Sequence, residues 1–249
     1  MFAHPETLLS AAQTTQLEQL LSRRLQGEPV AYLRGDAEFW SLPLKVDAGA
    51  LIPRPETEHL VEKALEQLPE LPDGCIIELG TGSGAIALAL AQEVSDRTII
   101  AVERQPAAMR LAQLNIERFG QGRVQLLHGH WLDSIKNATA ALIISNPPYL
   151  ASDDRHLPDL RYEPASALVS GPTGLEDLQH IIDHSRYAGV EGCLLMVEHG
   201  FEQGASVRSL FAHYNYQRID TDCDLAGHER ISYGYLMHKY QRDMAGASS

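Results

Sequence analysis

The chain has 249 residues, enough to bury a large core, and its length suits one main domain with a small appendage. Its 20 Lys plus Arg stand against 33 Asp plus Glu for a formal charge of −13, and no basic run offers a footprint for phosphate backbones, which argues against sequence-independent nucleic-acid binding. Cys75, Cys193 and Cys223 lie far apart without CxxC spacing, and no apolar stretch approaches the length of a membrane span, so a disulfide framework, a zinc site and a membrane anchor are not expected and the cytoplasm is the natural compartment.

Taken in chain order, Thr15 with Glu18 three residues later forms a candidate capping box, and Leu17, Leu20, Leu21 and Leu25 recur at helical spacing until Gly27. One N-terminal helix is expected. Between Tyr32 and Ile52 short aromatic and β-branched pieces broken by Gly35, Pro43 and Gly49 predict a hairpin-like connector. Leu60, Val61, Ala64, Leu65 and Leu68 then share one face of a helix running from Pro55 to Leu68. Strands at 75–79, 98–102, 123–127, 140–145 and 193–198 alternate with helices at 84–94, 107–119, 175–188 and 203–213, which predicts a parallel sheet with helices on both faces. The strands at 216–220 and 231–237 are joined by a link too short for a helical crossover and should pair antiparallel at an edge. Residues 238–249 are polar and small and are expected to fray. The expected organisation is a helical segment at 1–28, a connector at 29–54, a main domain at 55–240 and a tail at 241–249.

The stretch CIIELGTGSGAIALAL places Gly80, Gly82 and Gly84, with Thr81 and Ser83 between them, between an apolar strand and an Ala-rich helix. Alternate glycines let the backbone pass close to a ligand, and the helix offers its N-terminal N–H groups and positive dipole end. Glu103 follows nineteen residues after Gly84, at the end of the next strand, where a carboxylate can accept from ribose hydroxyls. A tight turn with a solvated acid would look similar, and Gly82 to Ala87 also fits a G-x-G-x-x-A dinucleotide fingerprint, so a nicotinamide enzyme remains open on this stretch alone.

Asn146-Pro147-Pro148-Tyr149 decides between these readings. The corner ends the strand at 140–145, so it faces the same crevice as the glycine turn. Two prolines stiffen it and leave its carbonyls free to accept. A planar NH₂ group has its nitrogen lone pair delocalised and needs acceptors to hold it toward an electrophile; the Asn146 side-chain oxygen and the Pro147 carbonyl supply two, and Tyr149 can lie against its flat face. A Pro-Pro strand end with Tyr149 packed on the sheet rim is the plainer alternative.

These motifs resemble a known family. ELGTGSG is similar to the first motif of class I S-adenosylmethionine-dependent methyltransferases, and NPPY to that of enzymes methylating amino nitrogens of adenine, cytosine or glutamine. GEPVAYLRGDAEFWSLPLKVDAGALIPRPETE, residues 27–58, resembles the connector of the protein-(glutamine) methyltransferases that modify peptide chain release factors, and the likeness runs from about residue 5 to residue 240. The resemblance implies an α/β, Rossmann-like fold with a mostly parallel seven-stranded sheet and an antiparallel edge hairpin. It implies methylation of the Gln amide in the Gly-Gly-Gln motif of class I release factors, with S-adenosyl-L-methionine as donor and S-adenosyl-L-homocysteine as product. It places Gly80, Thr81, Gly82, Ser83 and Gly84 along the methionine part of the cofactor, Glu103 at its ribose, Trp131 beside its adenine, and Asn146 at both cofactor and substrate. Asn146, Pro147 and Tyr149 would be catalytic and, with Pro148, would hold the glutamine amide. In this family Asp is usual at the positions of Glu103 and His130, and the helical bundle ahead of the connector is usually longer. A cytoplasmic monomer acting on a protein, without direct nucleic-acid or membrane contact, is expected.

Other residues carry weaker expectations. His128, His130, His199 and His228 lack ligand spacing on one element, so no metal is expected. Glu198, in VEHG, is read as a strand-end cap ahead of a substrate contact. Arg54 is left between the cofactor, the substrate loop and a surface acid. The loop at 150–173 is open between a lid and disorder. Rival functions are a glutamine methyltransferase acting on a ribosomal protein, an adenine-amino nucleic-acid methyltransferase, which would need a basic groove, and a non-catalytic nucleotide-binding partner.

Overall fold

The computed structural model describes residues 8–133, 135 and 139–237. The first seven residues and the expected fraying tail at 238–249 lie outside the described residues.

Helix α1 (Ala11–Leu25) begins earlier than expected. Its capping box is Ser10 with Gln13, the Ser10 hydroxyl accepting from the Gln13 N–H and the Gln13 side chain accepting from the Ser10 N–H at 2.9 Å. Thr15 and Glu18 are interior positions instead, because Ser-x-x-Gln caps as well and Ala11-Ala12 are strong helix formers. The leucine stripe is present but uncovered: Leu17, Leu21 and Leu25 are exposed, and α1 buries no residue. The connector contains the expected hairpin, β1 (Asp36–Phe39) and β2 (Leu42–Lys45), but opens with a one-turn helix, α2 (Val30–Arg34), closed by Gly35 at φ 75°. Five residues are too few for a periodicity to show. Helix α3 (Pro55–Gln67) starts with Pro at its first turn, where the missing N–H costs nothing.

The alternating region is β3 (Cys75–Leu79), α4 (Ala85–Glu93), β4 (Ile99–Glu103), α5 (Pro106–Phe119), β5 (Val124–His128), β6 (Ala140–Ser145), α6 (Glu176–Ser185), β7 (Gly189–Glu198), α7 (Gly204–His213), β8 (Gln217–Cys223) and β9 (Glu229–Tyr235). Strand β7 starts four residues before the expected position; Gly189 and Gly192 look like turn residues in sequence, but Gly189 pairs with Ala140 of β6 at a register shift and the Gly192 N–H donates to the Leu236 carbonyl. Seven strands form one sheet in the order β5-β4-β3-β6-β7-β9-β8, parallel except for β9, which pairs antiparallel with β7 and β8.

Side chains alternate across this sheet. Ile76, Leu142, Ile144, Leu194 and Met196 pack against Leu60 and Val61 of α3 and the wholly buried Ala85–Ala91 stretch of α4. Ile77, Leu79, Ile143, Leu195 and Val197 pack against Leu178, Ile181 and Ile182 of α6 and Val207 and Phe211 of α7. The alanines let α4 lie close to the sheet. The chain runs from β3 outward to β4 and β5, then returns to β6 on the other side of β3, so the carboxyl ends of β3, β4 and β6 meet at a topological switch point. The site lies there.

Candidate active site

A cleft opens at these strand ends. Gly80, Thr81, Gly82, Ser83, Glu103, Trp131, Asn146 and Pro148 all line it. Gly84 sits just behind as the N-cap of α4, Pro147 is buried, and Tyr149 is half-buried with its ring packed on the α6–α7 side of the core. The corner's plainer role, packing on the sheet rim, therefore accounts for Tyr149 as it stands, while Asn146 faces the cleft.

The glycines are required by the backbone. Gly80, Gly82 and Gly84 have φ of 71°, 58° and 89°, a region L side chains rarely occupy. A Cβ on Gly82 would meet nothing within 4 Å, so its backbone borders open cleft space, whereas one on Gly80 would press on the Trp131 ring at 3.0 Å. Because Gly84 has no side chain to cap α4, the cap comes from β3. The Glu78 carboxylate accepts from the Ala87 N–H at 2.9 Å and from the Thr81 hydroxyl.

Glu78 carries no signal in the sequence because it sits inside an apolar strand. Burial pushes its carboxyl up to about 8, against the Thr81 and Ala87 donors. With a folded value above the unfolded one, the folded state holds a proton that the unfolded state has released between pH about 4.5 and 8. Stability is thus greatest below that window and falls as pH rises through it, by an amount on the order of a few kcal/mol. Glu78→Gln should flatten the fall in melting temperature across this range; an undiminished slope would show that another group carries it.

Glu103 is fixed at the end of β4 by three backbone donors: its Oε2 accepts from Gly82 at 2.9 Å and its Oε1 from Arg104 and Gln105 at 2.7 Å each. A carboxylate offers about four lone-pair positions, so one on Oε2 stays available to a ligand hydroxyl. The carboxylate also ties the glycine turn to β4. Trp131 holds a left-handed backbone, φ 47°, uncommon for a bulky residue, and donates its indole N–H to Asp177 at 3.1 Å. A flat, partly apolar guest with a polyhydroxylated middle fits this arrangement, with Trp131, Val102 and Ile86 as apolar walls and Glu103 as acceptor.

The connector forms the near wall. Phe39, Ala50, Leu51, Pro53, Arg54 and Thr57 line the cleft, none of them foreseen as site residues apart from the open question of Arg54. Arg54 pairs with Glu163, whose other oxygen accepts from the Ile52 N–H at 3.1 Å. The 150–173 loop is therefore ordered and stapled to the connector, and Tyr162 and Arg161 bond the Gln26 carbonyl at the end of α1. Asn146 donates its Nδ2 to the Thr57 hydroxyl at 3.0 Å. Glu198 lies buried behind it, and Oε2 of that carboxylate has no hydrogen-bond partner among the described residues. At the far rim His130 lies 3.2 Å from Asp133, and His180, from α6, lies 3.8 Å from the same carboxylate. These three bring ligand-capable atoms within 4.8 Å of one another, but Asp133 is half-exposed and their contacts are those of a surface ion-pair group.

A family model described as "Methyltransferase small domain" matches residues 58–159, and one described as "PrmC N-terminal domain" matches residues 1–35. The chain is 47% identical over 237 residues to the release factor glutamine methyltransferase of Escherichia coli (strain K12), covering 94% of this chain and 85% of the relative. It is 45% identical over 242 residues to the protein of the same name from Vibrio cholerae, covering 96% and 84%. Among solved structures, a methyltransferase from Pyrococcus furiosus superposes with a TM-score of 0.61 at 16% identity, covering 89% of this chain and 99% of that one, a likeness of fold. No helix among the described residues is long and apolar enough to cross a membrane.

Proposed function

The chain belongs to the release factor glutamine methyltransferases, which are class I methyltransferases, and from that premise we propose that it methylates the glutamine amide of the Gly-Gly-Gln motif in class I release factors at the β3–β4–β6 edge. The observation that carries the residue assignments is the meeting, in one cleft, of the glycine turn, Glu103 and Asn146 from the ends of three neighbouring strands.

In this reading S-adenosyl-L-methionine, when bound, supplies an electrophilic methyl group. Gly80 to Gly84 border its methionine part, Glu103 accepts from its ribose and Trp131 flanks its adenine, roles that fit the open acceptor position on Glu103 and the free space beyond Gly82. Asn146 and the Pro147 carbonyl accept the two N–H bonds of the substrate amide and point its nitrogen into the cleft. As that nitrogen forms its new bond it becomes positive, and both acceptors tighten, so they stabilise the transition state more than the ground state. One N–H proton then leaves to water, which restores a neutral amide without a strong base. Pro147 and Pro148 keep the corner stiff, and Tyr149 lies against the flat face of the amide.

The same reading takes 55–240 as the catalytic unit, 29–54 as the wall over the cleft and 1–28, with its uncovered leucine stripe, as the segment nearest the docked release factor. The enzyme works as a cytoplasmic monomer without nucleic acid. The test is incubation with methyl-labelled S-adenosyl-L-methionine and a class I release factor, beside its Gly-Gly-Ala variant, with the label located by peptide mass spectrometry. Label on the Gln of that motif, absent from the variant, is the expected result. Label on another residue, or on a ribosomal protein instead, would overturn the substrate assignment.

A further inference from the structure

The reaction needs the Asn146 carboxamide in one of its two orientations, because only its oxygen can accept an N–H from the substrate amide. Nothing in the corner itself enforces that choice. The residues behind it do. Asn146 Nδ2 donates to Thr57 Oγ1 at 3.0 Å, so the Thr57 hydroxyl must send its own proton elsewhere. The carboxylate beside it is Glu198, whose charged form hydrogen bonding from Thr57 favours. The last β6–β7 pair is Ser145 with Val197, so the next residues along, Asn146 and Glu198, stand side by side at the strand ends. The Glu198 side chain is 5% exposed, its Oε2 is sealed from solvent without a partner, and the neighbouring Thr57 and Asn146 side chains favour its charged form. One Nδ2 hydrogen goes to Thr57, and a Glu198 carboxylate that takes the other leaves Asn146 Oδ1 as the end for the cleft.

We propose that Glu198 and Thr57 are positioning residues that lock the Asn146 carboxamide with its oxygen toward the methyl-accepting amide nitrogen. This rests on the reading of Asn146 as the amide holder and extends it to two residues that need not touch the substrate. A carboxylate at Glu198 forbids the flipped orientation, since Oδ1 would then face a negative charge and an acceptor with nothing to donate. A protonated Glu198 removes the lock: its O–H can donate to Oδ1, which permits the flip and turns Nδ2 toward the substrate N–H.

The environment makes this switch accessible. Burial pushes the Glu198 carboxyl up to about 7; Thr57, Arg230 and Asn146 favour its charged form, and Glu56 opposes it. Three elements therefore face it with charged or titratable groups: Glu56 from α3, Arg230 from β9 and Tyr149 from the corner, whose hydroxyl is pushed up to about 12 by burial and by the Glu198 charge. Thr57 belongs to the RPETE stretch, which gives that motif a chemical task besides starting α3.

The experiment measures kcat and KM of the full chain with release factor from about pH 6 to 9, cofactor affinity by calorimetry and melting temperature, for wild type, Glu198→Gln, Thr57→Val, Thr57→Ser and the double variant Glu198→Gln/Thr57→Val. The relay predicts that wild-type kcat falls below about pH 7 and that Glu198→Gln abolishes this acid limb. It predicts that Glu198→Gln and Thr57→Val each lower kcat about tenfold at high pH with cofactor affinity unchanged, that the double variant is no worse than the poorer single, and that Thr57→Ser retains turnover. An acid limb that persists in Glu198→Gln, or single variants with full kcat, would overturn the relay while leaving the enzyme's assignment standing. No amide methylation by the wild type would overturn both.

Discussion

Asn146→Ala should lower kcat for amide methylation by about 10²–10³-fold while cofactor affinity stays within about threefold. The side chain stands at the end of β6 with its nitrogen held by Thr57, so truncation removes one of the two acceptors proposed for the substrate amide without disturbing the glycine turn or Glu103. The lost interaction strengthens as the amide nitrogen becomes positive, so the loss belongs in kcat more than in KM. Asn146→Asp distinguishes positioning from charge. It keeps an acceptor but sets a second carboxylate beside Glu198, which raises the pKa of the pair and should confine the remaining activity to higher pH. Single-turnover rates and calorimetric titration on the same preparations measure both quantities. Wild-type turnover in Asn146→Ala would remove Asn146 from the reaction.

Glu103→Ala should weaken S-adenosyl-L-methionine binding by about 10²-fold or more, with kcat at saturating cofactor much less affected. Its carboxylate satisfies the Gly82, Arg104 and Gln105 N–H groups, so truncation removes the proposed ribose acceptor and also frees the glycine turn from β4. Hydrogen bonds to a charged group contribute about 1.5–3 kcal/mol each, and the turn must re-form before a ligand can use it. Glu103→Asp carries the carboxylate one methylene shorter and should recover part of the affinity if its oxygens still reach Gly82. Glu103→Gln keeps the length but replaces an acceptor with a donor facing backbone N–H groups, and should fare worse than Asp. Unchanged affinity in Glu103→Ala would place the ribose elsewhere.

The elements that could be read in advance are those whose signals are local. Alternate glycines after an apolar strand, Pro at the first turn of α3 and the stop at Asn146-Pro147-Pro148 all act within a few residues. The differences have local causes too: Ser10 and Thr15 both begin a capping pattern, and Gly189 and Gly192 carry turn-like residues into the start of β7. Glu78 and Thr57 could not be picked out. One lies inside an apolar strand and the other inside a helix start, and neither position says what lies opposite.

By itself the sequence determined the alternating α/β order, the glycine turn with its acid at the next strand end and the stiff Asn-Pro-Pro-Tyr corner, because each depends on backbone preferences and spacing along the chain. Only the tertiary structure decided that Thr57 would hold Asn146 from 89 residues away, that Arg54 would meet Glu163 across 109, and that Glu198 would be sealed in behind the corner. Those contacts follow from the order of strands in the sheet and from burial. Burial turns an ordinary carboxylate into one whose charge depends on its neighbours, and neither it nor strand order is written in any short stretch of residues.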